Sequence, residues 1–186
     1  MPDTRPTAPY ISTGDHRPNP IEIVTQGRPV TDTNHSQVHA GNAFHVSEII
    51  SSLGAGSSYD ITVDIPAGNY VHFQAFRAML DNAYTISIIE GDTPTTGTES
   101  TIIQRHRAKV ATTSELTAHD AAVSENTANL FIAKYPATVQ GGSGVIEEKI
   151  EWVLAAGKSY TFRATNNGVD ASDGFIALDW YEESAS

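Results

Sequence analysis

The chain has 186 residues, enough for one well-buried domain, and its hydrophobic content of 39% lies below the roughly 45–50% of an average globular protein. Eleven Lys and Arg against 22 Asp and Glu give a net charge of −11, which works against binding a phosphate backbone, so no nucleic acid partner is expected. Cysteine is absent, which removes disulfides, thiolate metal sites and cysteine nucleophiles together, and no window approaches the roughly 20 apolar residues of a membrane-spanning helix.

In chain order, residues 1–37 read as an extended arm. Six of the nine prolines fall there, at Pro2, Pro6, Pro9, Pro18, Pro20 and Pro29. Each fixes φ and pushes its predecessor toward extended backbone, so neither a helix nor a central strand is expected. The opening Met-Pro-Asp-Thr-Arg-Pro has no apolar run and does not read as a signal peptide. A disordered tail is the plainer interpretation. Tyr10, Ile11, Ile21, Ile23 and Val24 are nevertheless more apolar than a solvating tail requires, and Ile21-Glu-Ile-Val24 is the right length to add to a neighbour's sheet edge. These five are the arm's candidates for partner binding.

The body, residues 38–186, reads as all-β. Residues 59–65 alternate strictly, with Tyr59, Ile61, Val63 and Ile65 facing in and Asp60, Thr62 and Asp64 out. Residues 70–80, 84–90, 129–135, 146–154 and 159–165 follow as strands between turn signals such as Pro66-Ala-Gly-Asn69 and Ala155-Ala-Gly-Lys158. The stretch from 98 to 127 is expected to be irregular. The last strand places Ile176, Leu178 and Trp180 on one side and Phe175, Asp179 and Tyr181 on the other. The second set is too apolar for a solvated face, and is expected to meet the opposite sheet's loops or a neighbouring subunit. About eight strands without a long amphipathic helix predict an antiparallel β-sandwich; eight strands suit a jelly roll, and because spacing does not give connectivity an immunoglobulin-like topology stays open.

No catalytic, cofactor-binding or metal constellation emerges. His35, His39 and His45 are the nearest approach to a metal cluster, but Gly41 and the lack of helical context argue for loop histidines. His119-Asp120 with Ser114 or Ser124 lacks the glycines of a nucleophile elbow. Glu147, Glu148 and Glu151 are explained by a charged sheet edge, although two carboxylates held roughly 5–10 Å apart are what a glycosidase needs. Asp60 and Asp64 read the same way, with weak Ca²⁺ binding as the alternative. Arg105, Arg107 and Lys109 form the one basic patch in an acidic chain, suited to orienting an acidic protein partner.

Four segments in this order, Val38-His-Ala-Gly-Asn-Ala-Phe44, Ile88-Ile-Glu-Gly-Asp-Thr-Pro-Thr-Thr-Gly-Thr98 with Arg105 and Arg107 after it, Glu151-Trp-Val-Leu-Ala-Ala-Gly-Lys-Ser-Tyr-Thr-Phe-Arg163, and Ile176-Ala-Leu-Asp-Trp-Tyr-Glu182, resemble a group of small tailed-bacteriophage virion proteins. The resemblance covers residues 38–183 and implies a head decoration or cement protein, a β-sandwich on the outer capsid surface with no enzymatic activity and no cofactor. It implies the major capsid protein as partner, and copies of itself as a homotrimer or, second, a dimer. The expected location is the virion, after synthesis in the host cytoplasm. Two other classes stay open: a head-fibre or tail-associated module binding host glycans, and below it a carbohydrate hydrolase.

Overall fold

A computed structural model describes residues 24–25, 28–29, 33–91, 97–108, 110, 112–120, 128–136 and 146–184, with backbone alone at 24–25, 28–29, 33–35, 146–151 and 184. The chain divides into two compact units, residues 1–32 and 33–186. In the first, β1 (Val24–Thr25) and β2 (Arg28–Pro29) pair antiparallel. The other arm candidates, Tyr10, Ile11, Ile21 and Ile23, lie outside the described residues, and of Val24 only the backbone is described.

The second unit opens with a helix, α1 (Thr33–Ala40), where the sequence suggests only loop and the start of a strand. Gly41 terminates it at φ 86°, a conformation costly for residues with a Cβ, and its N–H bonds back to the carbonyls of Gln37 and Val38. His35 and His39 therefore do share a helix. Eight long strands follow: β3 (Ala43–Leu53), β4 (Ser58–Asp64), β5 (Asn69–Leu80), β6 (Tyr84–Gly91), then β9 (Ala128–Tyr135), β10 (Ile146–Leu154), β11 (Ser159–Asn166) and β12 (Ser172–Ser184). Two short strands, β7 (Ile103–Gln104) and β8 (Thr117–His119), lie in the stretch expected to be irregular.

The pairings follow one rule. β3 pairs with β12, β4 with β11, β5 with β10 and β6 with β9, all antiparallel, so the eight strands form one long hairpin whose two arms run side by side. Rolling that hairpin up adds β12 to β5 and β11 to β6. The result is a jelly roll of two five-stranded sheets, ordered β10-β5-β12-β3-β7 and β8-β4-β11-β6-β9.

Period-2 alternation sends one side of each strand into a single core. Ile61 and Val63 from β4, Ile86 and Ile88 from β6, Phe162 and Ala164 from β11, and Ile176, Leu178 and Trp180 from β12 are all buried. Trp180 stacks on Phe44, with ring centres 6.2 Å apart, and Phe162 meets Phe73 face-on at 4.4 Å and Phe76 edge-on at 5.4 Å. The Tyr84 hydroxyl crosses between sheets to donate to the Ala78 carbonyl. At Gly174 a Cβ would sit 2.0 Å from the Met79 carbonyl oxygen, so only glycine allows β12 to lie this close to β5.

The two flanks of the sandwich differ. On one, residues 98–105 cross from sheet to sheet: Ser100 N–H donates to Ala118 O and Thr98 O accepts from Asp120, while Arg105 N–H donates to Ala43 O beside the β3–β7 pair. On the other flank β9 and β10 are the sheets' end strands.

Candidate docking face and groove

The outer face of the β10-β5-β12-β3-β7 sheet carries an ionic centre within an apolar surround. Register places Asp179 directly beside His45 of β3 and beside Ala75 of β5, with Arg77 one step along the same face. The Asp179 carboxylate forms an ion pair with Arg77 and lies 3.0 Å from His45 Nδ1. Burial by itself raises the carboxyl's pKa, but the His45 hydrogen bond and the charges of Arg77, His45 and Arg105 outweigh it and hold the group below the usual carboxylate range. In the next row the Tyr181 ring stacks on His72 at 4.4 Å, nearly parallel at 6°, and His72 Nε2 lies 3.5 Å from Glu183. Around these polar groups the same five strands expose Ile49, Tyr70, Ile103 and Val153.

Phe175 and Tyr181 are therefore on the outer face, as the alternation requires. Phe175 is half-buried, in register between Ile49 and Met79, and Tyr181 is buried against the neighbouring strand. Of the basic patch, Arg105 and Arg107 are exposed at different places: Arg105 contributes to the field at Asp179, Arg107 lines the groove described next, and Lys109 lies outside the described residues. His72 and Arg77 were not singled out from sequence, and His45 was weighed there only as a metal ligand. Their signal is parity, since each lies on the outward side of a strand whose other side is apolar.

Beside the crossing segment 98–105 lies a groove of about 890 Å³, walled by residues 99–104 and 112–117 over Phe44. Thr101, Thr112, Thr113 and Thr117 give it a hydroxyl-rich lining, and Ile102 and Leu116 supply apolar contact. One wall is fixed from beneath by Glu182, which is buried at the end of the core face of β12. Its carboxylate accepts from the Trp180 indole N–H at 2.9 Å, the Ser114 hydroxyl at 2.5 Å and the Glu115 backbone N–H at 2.8 Å. A core tryptophan thus shares its acceptor with the groove wall.

The other groups considered from sequence are engaged elsewhere. Ser114 serves Glu182, Asp120 accepts from the Thr98 N–H, and His119 Nε2 is 3.5 Å from Asp64, so these three do not form a relay; Ser124 lies outside the described residues. Asp60 is held by both Nε and Nη2 of Arg163 at 2.8 and 2.9 Å, and Asp64 accepts from Ser159. The side chains of Glu147, Glu148 and Glu151 lie outside the described set. His39 meets His106 edge-on at 5.7 Å, and among the described residues no three His, Cys, Asp or Glu side chains converge as metal ligands. Compared with family models, curated proteins and solved structures, the chain matches none.

Proposed function

We propose that this chain is a non-enzymatic virion structural protein, a decoration or cement protein that binds the outside of a phage head, bridges capsomers and stabilises the shell. The observation that carries this reading is the outer sheet face: a partly buried Arg77–Asp179–His45 centre with exposed Ile49, Tyr70, Ile103 and Val153 on the same face. Ionic groups fix register and orientation, and exposed apolar side chains supply the area, which is what docking on a large protein surface needs. The resemblance of residues 38–183 to phage head proteins supplies the identity of that surface. In this reading the major capsid protein is the partner, and copies of the chain act together through avidity.

The test is addition of the protein to undecorated capsids, followed by heating. Wild type is expected to raise the temperature of capsid rupture, and a version with Ile49→Asp and Val153→Asp, folded by circular dichroism, is expected to lose that effect. Equal protection by both proteins would remove the face from the argument. Absence of binding by wild type would remove the capsid. A second reading, a module binding host glycans, rests on the threonine-lined groove. It predicts that Thr101→Val and Thr113→Val weaken retention on a glycan array without altering capsid binding.

A further inference from the structure

The flank formed by β9 departs from the rest of the sandwich. Elsewhere in its sheet the inward side chains are almost fully buried, for example Ile61, Ile86, Phe162 and Ala164 at 0–1% exposure. Along β9, Leu130, Phe131 and Ala133 pack against that core yet stay half-exposed, and Ile132 on the outer side is 56% exposed. The opposite edge is different, because β8 has three residues and pairs with the crossing segment through Ser100 and Glu99. β9 has eight residues, about 27 Å of strand at ~3.4 Å per residue. Among the described residues no strand pairs with its outer edge. A long edge with apolar side chains is a template for strand addition, and proteins normally shorten, charge or cover such edges.

We propose that β9 is a self-association edge, joining two copies of this chain antiparallel about a two-fold axis at Ile132, so that two five-stranded sheets become one of ten. The occupant follows from symmetry and charge. An antiparallel strand pair is self-complementary, so β9 needs no different sequence opposite it. Two molecules each carrying −11 repel across most approaches, whereas the only charged residue of β9 is Lys134. With Ile132 on the axis, Ile132 faces its mate and Phe131 faces Ala133 across the same inner side. The two Lys134 residues are four positions apart, about 13 Å, beyond the screening length of physiological salt. Lys134 and the β-bulge where the register shifts against Ile88 and Ile89 are the sort of devices that discourage uncontrolled edge pairing. They flank residues 131–133 and confine the pairing to that register. A strip about 27 Å long and one sandwich thickness (~10 Å) wide is small for a stable dimer, so the association is weak in dilute solution and strengthens where copies are held close. This proposal is independent of the capsid reading, since it concerns the free protein.

The chain has no cysteine, which makes single-cysteine cross-linking clean. Ile132→Cys places two thiols opposite each other at the axis, whereas Asn129→Cys, exposed on the same strand, places them about 20 Å apart. Under mild oxidation Ile132→Cys is expected to form the disulfide-linked dimer at least about tenfold faster than Asn129→Cys, with the reduced proteins melting like wild type. Equal rates, or faster linking at 129, would overturn the proposal. A second measurement covers a misfolded variant: sedimentation of wild type at rising concentration is expected to show reversible association that Ile132→Lys abolishes. A wild type that stays monomeric, or an Ile132→Lys protein that still associates, would overturn it equally.

Discussion

Asp179 shows how much of this molecule's electrostatics rests on single residues. Its carboxyl is held low because its two hydrogen-bonding neighbours and Arg105 favour the charged form more strongly than burial disfavours it. A carboxyl whose folded pKa is depressed adds stability above its unfolded value, here 3.8, and that increment is lost as the pH falls through the lower folded value. Asp179→Asn is therefore expected to cost about 2 kcal/mol at pH 7. The difference from wild type should narrow as the pH drops from 4 toward 2, because both proteins then carry a neutral group at 179. Urea unfolding across that range checks it, and a constant offset down to the lowest pH would show that the ion pair is not the cause. Tyr160 behaves in the opposite sense. Burial pushes its hydroxyl up to about 12, with the Ala155 N–H working against this and Glu90 adding to it, so it remains a neutral donor to Glu90.

At the scale of elements, β12 connects the core to the groove. Its inward side runs Ile176, Leu178, Trp180 and then Glu182, a carboxylate where the pattern calls for another apolar residue. The acceptors it offers to Trp180, Ser114 and Glu115 tie residues 112–117 to the sheet. Glu182→Ala leaves the Trp180 and Glu115 N–H groups without their acceptor, and is expected to cost about 2–3 kcal/mol. Hydrogen exchange should show Glu115 and Leu116 amides losing protection while β4 and β11 amides keep theirs relative to global stability. Uniform loss would mean that Glu182 serves only the core. The inward role of Trp180 was legible from parity alone, and the same parity pointed to Glu182, whose acid side chain hid it. Strands with clean alternation, such as residues 59–65, were legible because one face is apolar and packs in the core while the other is polar, although Thr62 on that polar face is itself buried, bonded to Thr161 of β11. The helix at 33–40 was not, since its residues carry no apolar period and its clearest signal is the stop at Gly41. β7 and β8 were not either: at two and three residues they are too short for a period, and are held by partners distant in sequence.

At the scale of the whole molecule, alternation and turn spacing point to a sandwich, while the strand order comes from the wrapping of one long hairpin, which leaves no mark on local sequence. That wrapping puts β12 between β3 and β5, so Tyr181 pairs with Ala43 and Ser172 with Leu53, contacts that close most of the chain into loops. Such pairings reward the chain only after their loop entropy is met, so the sheet forms cooperatively or not at all. A chain ending at residue 171 would lack Ile176, Leu178 and Trp180 from the core and leave β3 and β5 with unpaired inner edges, one of them facing a cavity the size of a tryptophan. Each such core truncation alone costs roughly 2–5 kcal/mol, so the three come to about 6–15 kcal/mol, as much as the roughly 5–15 kcal/mol that holds a typical domain folded, before the lost β12 pairings are counted. The 1–171 chain is accordingly expected to show no cooperative thermal transition and a collapsed amide proton spectrum. A sharp unfolding transition in that fragment would mean that the sheet closes without its central strand, and that the hairpin description of the fold is wrong.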